Sequence, residues 1–269
     1  MLYKPYNLGW FELHAVDHCN LNCINCNHHS LFFKKKEHNA ADYFPHIDEM
    51  IRRNIKFNQI GILGGEPFLH SDLFGFVNSI KQRYEKNIVI TTNGFWLGKD
   101  YSKYDNIFRI IKKMFVSIYP TIESSIGMKK IKKNIEDIKT KYNLNIVIRS
   151  GKKSSINSFI EVKFTTKPEL PTSFCKAQGD CTNLLPEGKI ARCGVGAYAK
   201  KNPHATFEFL SKTEDMFYDL TKDDGRDFGE WKTKYPLESC NYCSVWKKNW
   251  VSWKNSKNTN KDDRWPKLI

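Results

Sequence analysis

Cys19, Cys23 and Cys26 stand within eight residues of one another and are the first side chains here whose type and spacing could do chemistry. Thiolates are soft ligands suited to zinc, copper(I) or iron–sulfur clusters. A cubane cluster has four irons and ordinarily takes four cysteines. Three close ligands with no obvious fourth neighbour therefore leave one iron open, as catalytic metal sites keep a position open for an outside ligand. The plainer alternative on spacing alone is zinc, completed by His18, His28 or His29.

Five more cysteines follow: Cys175, Cys181, Cys193, Cys240 and Cys243. A four-cysteine site uses four of them and leaves one spare, and such a site suits zinc as well as iron–sulfur. No apolar run approaches the roughly 18–20 residues of a membrane-spanning helix. Met1–Phe11 lacks the charged and apolar regions of a secretory signal. A cytoplasmic location with no membrane partner is expected, where thiols stay reduced and clustered cysteines bind metal rather than pair.

The composition is that of a globular chain, 40 % hydrophobic and 14 % aromatic over 269 residues. The formal charge is +14, which suits nucleic acid, anionic lipid or a phosphorylated small molecule, although compositional drift toward lysine gives the same excess. Lys34–Lys36 and the lysines of 129–133 read as a solvated face, since no aromatic residues are interleaved there as in a nucleic-acid-binding module. Nucleic acid is thus the less favoured partner and a small molecule the expected one.

The elements that must position the cysteines follow from hydrophobic periodicity. Strands are predicted at Trp10–Val16, Gln59–Leu63, Asn87–Thr92, Met114–Tyr119, Asn145–Arg149 and Phe159–Phe164. Helices are predicted at Asp42–Arg53, Asp72–Tyr84, Ser102–Lys113 and Met128–Tyr142. Strands alternating with helices imply an α/β fold of right-handed βαβ units. Six units are too few for an eightfold barrel, so a partial (β/α)6 barrel is expected, with its active site at the strands' carboxyl ends. The character changes near Lys167–Pro171: alternation is lost, cysteines recur, and 184–193 reads as a hairpin turning at Pro186-Glu187-Gly188. The expected organisation is a barrel at 1–167, a small cysteine-rich α+β domain at 168–254 and a polar tail at 255–269 that Trp265 could pin. Trp246, Trp250 and Trp253 recur at helical spacing and are expected to pack a terminal helix onto the barrel.

The CxxxCxxC loop after the first strand resembles the signature of the radical S-adenosylmethionine superfamily. Gly64-Gly65-Glu66-Pro67 after the second strand resembles the family's GGEP segment, and Thr91-Thr92-Asn93-Gly94 after the third its TTNG. The resemblance implies a 4Fe–4S cluster on Cys19, Cys23 and Cys26 whose open iron binds S-adenosylmethionine. Gly64, Gly65, Glu66 and Pro67 would cradle the methionine amino group, with Thr92 and Asn93 nearby, Ser117 near the ribose and Arg149 near the carboxylate. Glycines allow close backbone approach, and a carboxylate such as Glu66 makes strong charge-assisted bonds to an ammonium. The family commonly has an aromatic residue before the third cysteine; here Asn25 stands there, so adenine stacking must come from elsewhere, for instance His28.

The later cysteines resemble the shortened auxiliary-cluster extension called twitch rather than the longer SPASM form. That likeness implies Cys175, Cys193, Cys240 and Cys243 as ligands, with Cys181 the spare, although Cys175 and Cys181 could exchange roles. Its implied chemistry is reductive cleavage of S-adenosylmethionine, hydrogen abstraction by a 5′-deoxyadenosyl radical, and electron loss to the second cluster. The expected outcome is oxidation of a small polar substrate, a sugar or polyol, free or nucleotide-activated, by a dehydrogenase-type oxidoreductase fed by a reducing partner such as flavodoxin or ferredoxin. Peptide epimerisation or cross-linking, transfer-RNA modification, and a non-catalytic electron carrier or zinc-stabilised adaptor are the competing readings. About ten residues precede the first strand, so no fused amino-terminal peptide-recognition domain is expected.

Overall fold

Five of the expected strands lie side by side in a computed structural model, which describes residues 3–149, 158–175, 177 and 181–256. They are β1 (Tyr6–Val16), β2 (Ile55–Gly64), β3 (Asn87–Thr92), β4 (Lys113–Ser117) and β5 (Asn145–Arg149). All pair in parallel, in the spatial order β5-β4-β3-β2-β1. Near-continuous apolar runs such as Ile88-Val89-Ile90 are what strands covered on both faces require, and these three are buried. The crossovers are α1 (Phe44–Arg52), α2 (Leu73–Tyr84), α3 (Asp105–Ile110) and the pair α4 (Pro120–Ile126) and α5 (Met128–Tyr142).

Capping sets the helix limits. Asp72 accepts the Gly75 N–H at 2.8 Å to start α2, which stops where Glu85 turns left-handed. On α5, Ile131, Ile135 and Ile138 are fully buried while its lysines face water. Each such isoleucine contributes about 2 kcal/mol of burial.

Register aligns the strand ends that carry chemistry. Val16 lies opposite Gly64, Thr92 opposite Val116, and Ser117 opposite Arg149. Beyond β1 the sheet continues with the expected hairpin: β7 (Asn183–Leu184) pairs in parallel with β1 at Glu12, and β8 (Lys189–Ala191) and β9 (Phe217–Asp219) follow antiparallel. The sheet of the described residues thus has eight strands.

Two expectations change. The sixth strand does not join the parallel sheet: β6 (Ser158–Ile160) pairs antiparallel with β10 (Trp250–Ser252) in a separate two-stranded sheet. The alternation of Ile160, Val162 and Phe164 with Glu161 and Lys163 marks a segment buried on one face, which suits antiparallel pairing better than a buried parallel strand. The tryptophan stripe is not a helix. Lys248 turns left-handed after a short 3-10 turn, and β10 begins at Trp250. Trp246 is buried, Trp250 is exposed, and Trp253 packs against the main core. Trp265 and most of the polar tail lie outside the described residues. Among the described residues no helix is long and apolar enough to cross a membrane.

Two apolar clusters result. The larger lies between the sheet and its helices. The smaller gathers Leu31, Val162, Phe164, Phe209, Met216, Leu237 and Trp246 around Cys175, Cys193 and Cys240.

Candidate active site

The chain leaves β1 at Val16 and folds Cys19, Cys23 and Cys26 into a tight loop. Cys26 N–H donates to the Cys23 carbonyl at 3.4 Å and His29 N–H to the Cys26 carbonyl at 2.9 Å. Asn25 sits at φ 66°, where asparagine is tolerated better than an aromatic residue, and its Oδ1 accepts the Val162 N–H at 3.2 Å. Three groups reach the sulfurs: Leu21 N–H points at Cys19 Sγ (3.4 Å), Asn93 Nδ2 at Cys19 Sγ (3.7 Å) and Trp253 Nε1 at Cys23 Sγ (3.3 Å). Burial, followed by the nearby Glu66 carboxyl, raises the Cys19 thiol well above its ordinary range. Burial, then Cys26, pushes Cys23 up to about 12.

The glycines of 64–65 make a close crossing over β1. A Cβ on Gly64 would lie 1.9 Å from the Val16 carbonyl oxygen, and one on Gly65 1.8 Å from that of His18. Gly65 N–H instead donates to Val16 O (2.9 Å) and Glu66 N–H to His18 O (3.1 Å). The sequence reading gave these glycines to a ligand; here the approach that forbids a side chain is to β1 itself, although both residues also line the cavity described below.

Glu66 is fully buried and its carboxylate is engaged. Oε1 accepts the Phe68 N–H (3.1 Å) and the Thr92 hydroxyl (2.6 Å), and Oε2 accepts the Asn93 N–H (2.7 Å). Desolvation nonetheless raises its pKa to about 7 against those bonds. Thr92 Oγ1 accepts in turn from Gly94 N–H and Trp96 Nε1, both at 3.1 Å. Asn93 Nδ2 donates to Asn20 Oδ1 at 2.8 Å, which ties the third strand's end to the cysteine loop. Glu66 thus locks the end of β2 to the end of β3, and Pro67 opens a buried 3-10 turn beside it.

These strand ends open on one cavity. Cys19, Cys23, Cys26, Gly64, Gly65, Thr92, Asn93, Ser117 and Arg149 line it; Glu66 and Pro67 do not. Ser117 is buried, and the Arg149 guanidinium lies 4.0 Å from the Phe115 ring centroid. Glu12, His28, Tyr119 and Cys181 also line this cavity. Sequence reading did not assign Glu12 or Tyr119 to the site, although Glu12 left a signal as a carboxylate in the middle of an apolar strand. His28 Nδ1 meets His14 Nε2 at 3.0 Å, and Asp17 Oδ1 bonds His14 Nδ1 (3.2 Å) and His38 Nε2 (2.9 Å). This buried chain fixes the His28 ring at the cavity wall. Tyr119 stacks between Phe159 (5.7 Å, 7°) and Trp253 (5.8 Å, 20°).

Cys175, Cys193, Cys240 and Cys243 line a second cavity of about 370 Å³, walled by Val195, Phe209, Met216, Val245 and Trp246. Burial first raises Cys193 to about 12 and Cys240 to about 11. Cys181 stands outside it. A third cavity of about 1190 Å³ shares Cys181 with the first and Cys175 with the second. No disulfide joins any of the cysteines. Among the described residues no three His, Cys, Asp or Glu side chains are arranged to hold a single metal ion. The first donor set, three cysteines of one loop lining one cavity, fits a cationic iron–sulfur group, since buried thiols become stable thiolates beside positive charge.

With this geometry in place, the class can be set beside it: residues 15–126 match the Radical SAM superfamily, so that stretch of the chain is a radical SAM domain. Particular relatives are a probable GTP 3′,8-cyclase of Methanococcus maripaludis strain C7, 29 % identical over 133 residues, covering 47 % of this chain and 44 % of that protein. The GTP 3′,8-cyclase of Nautilia profundicola is 27 % identical over 156 residues, covering 54 % of this chain and 48 % of that one. The chain spans about half the length of these curated relatives. Among solved structures, BtrN in complex with AdoMet and 2-DOIA aligns at TM-score 0.49 and 12 % identity, over 87 % of this chain and 84 % of that one.

Proposed function

We propose that this radical SAM protein cleaves S-adenosylmethionine reductively and oxidises a small polar substrate, a sugar or polyol. The observation that carries the reading is the convergence of Cys19, Cys23, Cys26, Gly64, Gly65, Asn93, Ser117 and Arg149 on one cavity, with a third cavity that shares lining residues with both it and the four-cysteine pocket. Cys19, Cys23 and Cys26 would hold the 4Fe–4S cluster, which would supply the electron for reductive cleavage of S-adenosylmethionine.

The protein's own residues do the positioning. Gly64–Gly65 and Asn93 offer backbone and amide groups to the methionine moiety, with Glu66 acting through the Thr92 and Asn93 bonds it accepts. Arg149 pairs with the methionine carboxylate and Ser117 faces the ribose. Cys175, Cys193, Cys240 and Cys243 would hold a second cluster, which would accept the electron that completes a two-electron oxidation. On this reading residues 1–167 are the barrel and 168–254 a twitch-like extension that shares the barrel's sheet.

A second reading has the same radical act on a guanine nucleotide. The match to proteins named GTP 3′,8-cyclases favours it, over about half their length. The test is anaerobic reconstitution with iron and sulfide, then reductant and S-adenosylmethionine. About eight irons per chain, two cubanes, and 5′-deoxyadenosine are expected. A panel of polyols, amino sugars and GTP follows. A ketone formed with one 5′-deoxyadenosine per turnover supports the oxidative reading, a rearranged guanine nucleotide supports the second, and no 5′-deoxyadenosine overturns both.

A further inference from the structure

The segment from Trp250 to Ser256 runs back across the cysteine loop. Ile24 N–H donates to the Lys254 carbonyl (3.0 Å), Asn22 N–H to Asn255 Oδ1 (2.8 Å), and Ser256 N–H to the Asn22 carbonyl (3.0 Å). β10 ties the same segment to β6. Between these anchors Trp253 is half-buried, its ring stacked on Tyr119 and its Nε1 3.3 Å from Cys23 Sγ. Indole has one donor and no acceptor. That donor is directed at a sulfur, although a carbonyl would be a stronger neutral acceptor.

A thiol sulfur accepts weakly. A metal-bound thiolate is anionic, so the same contact becomes charge-assisted. Hydrogen bonds to ligating sulfur favour the more negative, reduced cluster and so raise its reduction potential. We propose that Trp253 is a positioning residue for the open cluster: from a sequence-distant strap it donates to Cys23 Sγ, orienting that ligand and making the cluster easier to reduce. The proposal rests on the cluster assignment made above. It gives a job to a residue 230 positions from its partner cysteine that the motif does not contain.

Trp253→Phe keeps an aromatic ring against Tyr119 and removes the donor. In the reconstituted full-length protein, an EPR-monitored redox titration follows the signal that changes when S-adenosylmethionine is added. Its midpoint is expected to shift to more negative potential in Trp253→Phe, with the second cluster's midpoint unmoved and iron content unchanged. An unmoved midpoint with full iron overturns the proposal. If Trp253→Phe fails to load iron, Trp253→His restores a ring N–H: recovery of iron with a midpoint near wild type supports the donor role, and failure of both variants assigns the position to packing and overturns it. A wild-type protein with no signal responsive to S-adenosylmethionine would instead sink the underlying cluster assignment.

Discussion

The two cysteine groups of this chain are built in opposite ways. Cys19, Cys23 and Cys26 come from one loop, with Gly65, Thr92, Asn93, Ser117 and Arg149 sharing their cavity. Cys175, Cys193, Cys240 and Cys243 are gathered from widely separated segments into a pocket walled mainly by Phe209, Met216, Val195 and Trp246. A cavity at strand ends lets an outside ligand exchange, which catalytic metal sites require, whereas four thiols under apolar cover suit a closed site. On the proposed reading the first group takes the ligand chemistry and the second stores an electron.

The largest effect separates the two directly. Cys23→Ala should abolish S-adenosylmethionine cleavage, by more than the ~10–100-fold typical of residues that merely support a ligand, while the second group keeps its iron. Anaerobic single-turnover assays of 5′-deoxyadenosine with iron analysis check this; cleavage near wild-type rate would contradict the assignment. Cys240→Ala should do the converse, with iron roughly halved, 5′-deoxyadenosine still formed, and substrate oxidation lost. Equal loss of both activities would mean the two groups form one functional site.

Arg149→Gln probes the far wall of the open cavity. Losing one charge-assisted bond costs about 1.5 kcal/mol, so the Kd for S-adenosylmethionine should rise about tenfold. Unchanged affinity by equilibrium dialysis would remove Arg149 from the cofactor site.

A smaller effect tests the joint between the regions. His29 follows the cysteine loop and is buried; its Nε2 donates to the Val195 carbonyl (3.1 Å) and its Nδ1 accepts from Asn202 (3.3 Å). Burial lowers its pKa to about 4, so the fold holds it neutral. The unfolded chain binds the extra proton below about 6.5, so this contribution is full above that pH and is lost as pH falls from 6.5 toward 4, by about 1.4 kcal/mol per unit. Denaturation curves across that window should be steeper in pH for wild type than for His29→Gln; identical slopes would show that His29 is not the titrating joint.

Much of this was legible in the sequence because it is local. Apolar runs placed β3 and β5 at the residues the structure uses, and the isoleucines of α5 placed that helix. The cysteine loop, Gly64–Gly65 and Asn93 could be read because each follows a strand whose carboxyl end must face the site. Long-range pairings were not legible. Nothing near Phe159 indicates that its partner strand lies at Trp250, and nothing near Trp253 indicates Cys23. Glu66 was read as a ligand-facing carboxylate, and only tertiary structure reveals that Thr92 and Asn93 engage it.

On the proposed reading the first group alone holds the open, S-adenosylmethionine-binding cluster. A reconstituted Cys240→Ala/Cys243→Ala protein isolates it. After reduction, its EPR spectrum should show one cluster of about four irons whose signal changes on adding S-adenosylmethionine. A single cluster that ignores S-adenosylmethionine, or loss of all iron, would contradict the claim.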